Sequence, residues 1–120
     1  LKINNILSKI DLSHVAKMPI RYFSNGMKKR LMIGRLMLFN PEILLLDEPY
    51  TGLDKKSLIW FTNFLIEYHK KGGTILMVTH QFDQVISLAN RVMVLKNHNI
   101  YRNISTKGLN SSSLSLILED

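Results

Sequence analysis

The sequence predicts an α/β fold, a parallel sheet core flanked by helices, and three observations carry that expectation. Two short apolar runs, residues 43 to 46 and 74 to 79, have the length and the flanking breakers of buried strands. Between them, residues 55 to 71 repeat apolar side chains (Leu58, Phe61, Leu65, Tyr68) at steps of three and four, the period of a helix. Strand, helix and strand in that order make one βαβ unit, whose strands must run parallel because the helix returns the chain to the starting edge.

Taken in order, residues 1 to 10 place Ile3, Ile6, Leu7 and Ile10 at helical spacing, and a polar loop through Asp11, Ser13 and Pro19 follows. Ser24-Asn25-Gly26 offers helix-capping chemistry before residues 27 to 39, where Met27, Leu31, Gly34 and Leu38 share a face. Asn40-Pro41 ends that helix. The run at 43 to 46 is closed by two acids and a proline, as expected of a strand covered on both faces; periodicity alone does not separate it from a buried helical turn, and its length with Pro41 and Pro49 favours the strand. Gly72-Gly73 terminates the helix that begins near Lys55. Residues 81 to 89 read as a further helix, and residues 91 to 95 and 100 to 104 as strands of a hairpin turning at Asn97-His98-Asn99. The serine-rich stretch from 105 onward is either a terminal helix or a frayed tail. No internal repeat is visible.

Composition narrows the chemistry. Without cysteine there is no disulfide, thiolate metal site or cysteine nucleophile. No stretch approaches the roughly 18 consecutive apolar residues of a membrane span, so contact with a membrane is expected through a partner or a surface. The net charge of +7 is compatible with a polyanion partner, but the basic residues run from Lys2 to Lys107 with Lys28-Lys29-Arg30 as the densest group. A solvated surface is the expectation, and nucleic acid is not an expected partner.

Ligands of open parallel sheets sit beyond the carboxyl ends of the strands. Asp47 and Glu48 follow the first strand and His80 the second, so one βαβ unit sends two acids and an imidazole to one edge. An acid there can hold Mg²⁺ on a phosphate while its neighbour accepts a proton from attacking water. Met alone, such a pair is more simply a strand cap that hydrates a loop, and a lone histidine after a strand is more often a loop residue.

The order of segments changes that balance. Phe23-Ser24-Asn25-Gly26-Met27, Asn40-Pro41-Glu42, Leu44-Leu45-Leu46-Asp47-Glu48-Pro49, Thr51-Gly52-Leu53-Asp54 and Val78-Thr79-His80 together resemble the C-terminal part of the ATP-binding cassette (ABC) ATPases, a branch of the P-loop NTPases, over about residues 20 to 104. The resemblance implies that Asp47 is the Walker B aspartate associated with Mg²⁺ and Glu48 the glutamate that polarises the attacking water. It makes His80 the switch histidine at the γ-phosphate. It places Gly52, Leu53 and Asp54 in the D-loop at the dimer interface, and Ser24, Asn25 and Gly26 in the signature that grips ATP held by the opposite subunit. The family signature is commonly LSGGQ; here it reads FSNGM, retaining the serine and the second glycine. A serine hydroxyl, a permissive glycine and helix N-terminal amides suit an anion. Arg30 and Arg35 match basic positions of the helix after the signature, where packing and surface pairing account for them as well as ligand contact does.

The phosphate-cradling string G-x-x-x-x-G-K-[ST] does not occur in these 120 residues, and the chain starts at leucine. Residues 1 to 104 are therefore expected to be part of a nucleotide-binding domain, residues 105 to 120 a tail or short helix, and the chain a fragment inactive by itself and poorly soluble. For the parent, the resemblance implies ATP and Mg²⁺ as cofactors and a second nucleotide-binding subunit, identical or not. It further implies transmembrane permease subunits that hold the protein at the cytoplasmic face of the membrane. Gly26-Met27-Lys28 and residues 50 to 54 resemble exporters of the ABC-2 kind and the haem-exporter ATPases of cytochrome c maturation. A soluble ABC protein of translation or DNA repair, and a catalytically silent dimerisation fragment, are the alternatives.

Overall fold

Residues 2–81, 86 and 88–119 are described by a computed structural model. They fall into two compact units, Leu1–Val78 and Thr79–Asp120.

In the first unit, α1 (Lys2–Lys9) is followed by two 3₁₀ turns, Ser13–Val15 and Ile20–Tyr22, and then by α2 (Asn25–Phe39). Of the apolar positions expected on α1, Ile6, Leu7 and Ile10 join a cluster with Leu12, Val15, Phe23, Met27 and Leu31, whereas Ile3 is 61% exposed. A Cβ built on Gly34 would lie 2.7 Å from Ile10 Cδ1, so hydrogen is the side chain that lets α2 approach this cluster. Helix α2 starts two residues earlier than its apolar pattern suggests because Ser24 caps it, its Oγ accepting the Met27 N–H at 3.1 Å. It ends at Asn40, a left-handed cap with φ of 44°.

The βαβ unit forms as expected. Strand β1 (Ile43–Asp47) pairs in parallel with β2 (Thr74–Val78), in register from Ile43↔Thr74 to Asp47↔Val78, with α3 (Lys55–Lys70) between them in sequence. Phe61, Leu65 and Tyr68 of α3 are buried as their spacing requires, but Ser57 and not Leu58 completes the buried set. Asp54 caps this helix through the Ser57 N–H at 2.7 Å. At the other end the Gly73 N–H bonds to Tyr68 O and the Gly72 N–H to His69 O, the paired bonds of a Schellman turn, with Gly72 at φ of 93°. The Tyr68 hydroxyl donates to Pro41 O at 2.6 Å and ties this end of α3 to the entry of β1.

One expectation is corrected. Strand β1 is covered on one face only: Leu44 is 2% exposed, whereas Ile43 and Leu45 are 59% and 74% exposed, and Leu76 and Val78 of β2 are also open. The unbroken apolar run suits a strand buried on both sides, but within these residues the second side has no cover.

In the second unit, β3 (Arg91–Lys96) and β4 (Asn99–Ser105) form the expected antiparallel hairpin. Its turn is the two residues Asn97 and His98, both at positive φ (50° and 63°), a tighter loop than the three residues expected. The register passes from Val94↔Arg102 to Leu95↔Ile100, which leaves Tyr101 as a bulge. The serine-rich terminus is a helix, α4 (Ser111–Glu119), started by Asn110 through the Ser113 N–H at 2.8 Å and anchored by the buried Leu114. The helix expected over residues 81 to 89 falls largely outside the described residues. No described helix is long and apolar enough to cross a membrane.

Candidate functional site

The acid pair stands where the strand register puts it. Asp47 is the last residue of β1, exposed and opposite Val78; the next residue, Glu48, donates its N–H to Val78 O at 2.8 Å. That bond extends the pairing one residue past β1 and holds Glu48 at φ of 43°, half-buried. A glutamate in the left-handed region is uncommon, carries strain of about 1–3 kcal/mol, and persists only where its surroundings over-determine it. From Glu48 the chain closes a tight loop, with the Thr51 N–H on Glu48 O at 3.3 Å and the Leu53 N–H on Tyr50 O at 3.2 Å. Gly52, at φ of 74°, takes the position where a side chain would be strained.

Asp54 ends this loop and serves as the α3 cap. Its carboxyl is held below its ordinary 3.8, first by the Ser57 backbone N–H and the Ser57 hydroxyl, with smaller help from Arg30 and Lys56. A depressed folded-state pKa contributes stability above the unfolded value that is lost as pH falls through the folded one. Urea midpoints should therefore fall on acidification below about pH 4, and less steeply for Asp54→Asn than for the wild type. Parallel curves for the two proteins would mean that the cap carries no charge-dependent stability.

Ser24, Asn25 and Gly26 stand on a different element, the N-terminus of α2. Asn25 is exposed, and a Cβ on Gly26 would meet only Ser24 Oγ at 3.9 Å, an ordinary contact. Nothing in the fold of this terminus crowds Gly26, so its local packing does not require a glycine. The first turn holds no acid, and Lys28, Lys29 and Arg30 follow directly. Cations near a helix N-terminus oppose its dipole, and an anion would relieve that opposition. The wider setting agrees: eight of the 16 Lys and Arg but one of the nine acids lie in residues 1 to 40, so the whole net charge of +7 resides there. The basic residues are spread along the chain, but the acids that balance them are not.

His80 lies two residues beyond Val78, exposed, in the second compact unit. Arg30 points away from a ligand role: its Nη1 pairs with Asp11 at 3.2 Å, and Lys56 Nζ reaches the same oxygen at 3.6 Å, so one acid links α2 to the start of α3. Arg35 is exposed and borders the apolar groove lined by Ile6, Leu7, Leu31 and Leu38. Among the described residues no three of His, Asp and Glu gather as a metal cage. The exposed Asp47 carboxylate fits Mg²⁺, which is commonly held by one or two carboxylates with phosphate and water supplying the rest.

In the sequence Tyr50 figures only as the first residue of the segment at 50 to 54. It is 2% exposed, its ring packed edge-on to Phe61 at 5.5 Å and 64°. Burial raises its pKa above 10.0 and the neighbouring Thr62 hydroxyl partly offsets this, yet the two oxygens do not reach hydrogen-bond geometry. The available signal was an aromatic residue in a loop that also holds Pro49, Gly52 and Asp54.

A family model described as ABC transporter matches residues 2–51. Over 99 residues the chain is 35% identical to a protein of Streptococcus mutans described as an ABC transporter ATP-binding protein, covering 82% of this chain and 18% of that one. The chain belongs to the ABC transporter ATP-binding family. Two solved ABC structures share the α/β ABC ATPase fold. The ADP conformation of an ATP-binding cassette superposes with a TM-score of 0.72 at 27% identity, covering 99% of this chain and 45% of that one. The cbiO1 protein of Clostridium perfringens, part of the cbiONQ transporter complex, matches with a TM-score of 0.69 at 28% identity over 98% and 46% of the two chains. This ABC chain thus spans about a fifth of the Streptococcus relative and under half of each solved structure.

Proposed function

We propose that the chain supplies the signature, Walker B, D-loop and switch segments of an ATPase subunit that powers an ABC transporter, with residues 1 to 104 forming that part of the nucleotide-binding domain. The observation that carries this is the end of β1. Asp47 closes the parallel pair, and Glu48, bonded through its N–H to Val78 O, is fixed immediately beyond it.

In this reading Asp47 would hold Mg²⁺, whose charge would offset the negative charge of the transferred phosphoryl group. Glu48 accepts a proton from the attacking water, and His80 contacts the γ-phosphate. Ser24, Asn25 and Gly26 present helix amides to ATP on a second nucleotide-binding subunit, and Asp54 lies at that dimer interface. The subunit works at the cytoplasmic face of the membrane, held by transmembrane permease partners. The cbiONQ complex, of which the similar cbiO1 protein is part, supports a partnered arrangement. The exporter direction rests on residues 26 to 28 and 50 to 54. The 120 residues alone, which contain no phosphate-cradling string, are inactive in this reading.

Phosphate release by the intact protein tests the assignment. Chelating divalent cations should bring turnover to background, and Mg²⁺ should restore it; metal-independent turnover would remove Asp47 from its role. Gly26→Ala gives a separate test of the signature. It should leave the fold intact or stabilise it by about 0.5–1 kcal/mol, because alanine favours the helix. ATP-dependent dimerisation, read by light scattering, should nevertheless weaken; an unaffected dimer would show that nothing approaches Gly26.

A further inference from the structure

In the loop that carries Glu48, one residue is buried. Thr51 and Gly52 are exposed and Leu53 is half-buried, while Tyr50 is 2% exposed. Its ring lies edge-on to Phe61, itself 1% exposed and packed against Phe64 at 6.4 Å on the same helix. One side chain therefore pins the middle of the loop to the body of α3. The loop is pinned at its ends by other means: the Glu48 N–H on Val78 O, and the Asp54 carboxylate on the Ser57 N–H.

Glu48 sits between the first two of these anchors with φ of 43°, a conformation that relaxes unless both sides hold it. The strand bond fixes the side before it. On the side after it the Thr51 N–H closes a turn onto Glu48 O at 3.3 Å, and within that turn the Tyr50 ring is the group that enters the core. We propose that Tyr50 is a positioning residue for Glu48, its buried ring holding the glutamate's left-handed backbone and so the direction of its carboxylate. The inference rests on the reading of Glu48 as the group that activates water. What the position requires is the ring. The hydroxyl is buried without hydrogen-bond geometry, so it adds nothing the loop needs and its removal should be tolerated.

Steady-state ATP turnover of the intact protein, with Tyr50→Phe, Tyr50→Leu and Glu48→Gln, tests this. Tyr50→Leu keeps an apolar group in the core but loses the edge-on contact. It should lower kcat about tenfold or more while KM for ATP stays within about twofold, since a misplaced catalytic group slows chemistry more than binding. Tyr50→Phe should keep kcat within about twofold and melt no lower than the wild type. In the Glu48→Gln background Tyr50→Leu should add almost no further loss, because two changes acting through one group are not additive. A leucine variant with wild-type kcat, a parallel rise in KM, or an additive loss in the double variant would each overturn the role of Tyr50 alone. Undiminished turnover in Glu48→Gln would overturn the reading of Glu48 and, with it, this one. Should Tyr50→Leu fail to fold, Phe61→Leu probes the same contact from the α3 side, with the same split between kcat and KM expected and a wild-type kcat overturning the proposal.

Discussion

In the intact protein, Glu48→Gln is expected to bind ATP as the wild type does and to turn it over about 10²–10⁴-fold more slowly, the usual contribution of a general base. The substitution isolates chemistry from structure. Glutamine has the shape of glutamate, and the N–H bond to Val78 O, the loop bond from the Thr51 N–H and the buried Tyr50 ring are all present in the variant. What is lost is the capacity to take a proton from water. Equilibrium binding of ATP, phosphate release and a melting curve on one preparation separate the possibilities. Intact binding and melting with turnover lost supports the assignment. Turnover within a few-fold of the wild type would return Glu48 to the role of a loop cap, the plainer account of an acidic pair after an apolar run.

Phe61→Ala should have the largest effect on stability, about 3–5 kcal/mol, as for other large aromatic side chains removed from a core. Phe61 is 1% exposed and contacts two rings, Tyr50 at 5.5 Å and Phe64 at 6.4 Å. Its truncation opens a cavity beneath the Glu48 loop, where Leu65 on the next turn is also fully buried. The urea midpoint should fall with little change in slope. A midpoint within the error of the wild type would mean that the Tyr50–Phe61 contact is not part of the folded core. Phe64 stacks with Trp60, so tryptophan emission gives a local report of the same loss.

The two variants mark different depths of legibility. Residues 43 to 47 and 55 to 70 were readable because strand and helix repeat locally: apolar runs, three- and four-residue steps, and glycine or proline at the ends need no knowledge of the rest of the chain. The order of motifs around Asp47, Glu48 and His80 was readable for a similar reason, since it lies along the sequence. Burial was less so. Leu44 and Leu45 are indistinguishable in an apolar run, yet one is 2% and the other 74% exposed, because cover depends on what packs from elsewhere. Likewise Ser57, a polar residue, is in the buried set of α3 and Leu58 is not.

By itself, then, the sequence determined an α/β fold with a parallel βαβ unit, the family, and the residues available for chemistry. Tertiary structure alone decided how they are held: the left-handed Glu48, the bond to Val78 O that carries the strand pairing one residue past β1, and the Tyr50 ring on Phe61. It also decided that Arg30 bonds to Asp11, 19 positions away, and Tyr68 to Pro41, 27 away. The physical reason is one of range. Backbone preference and periodicity are properties of neighbours in the chain, whereas the backbone at Glu48 and the burial of Tyr50 are set by bonds and packing between segments that meet only when the chain has folded.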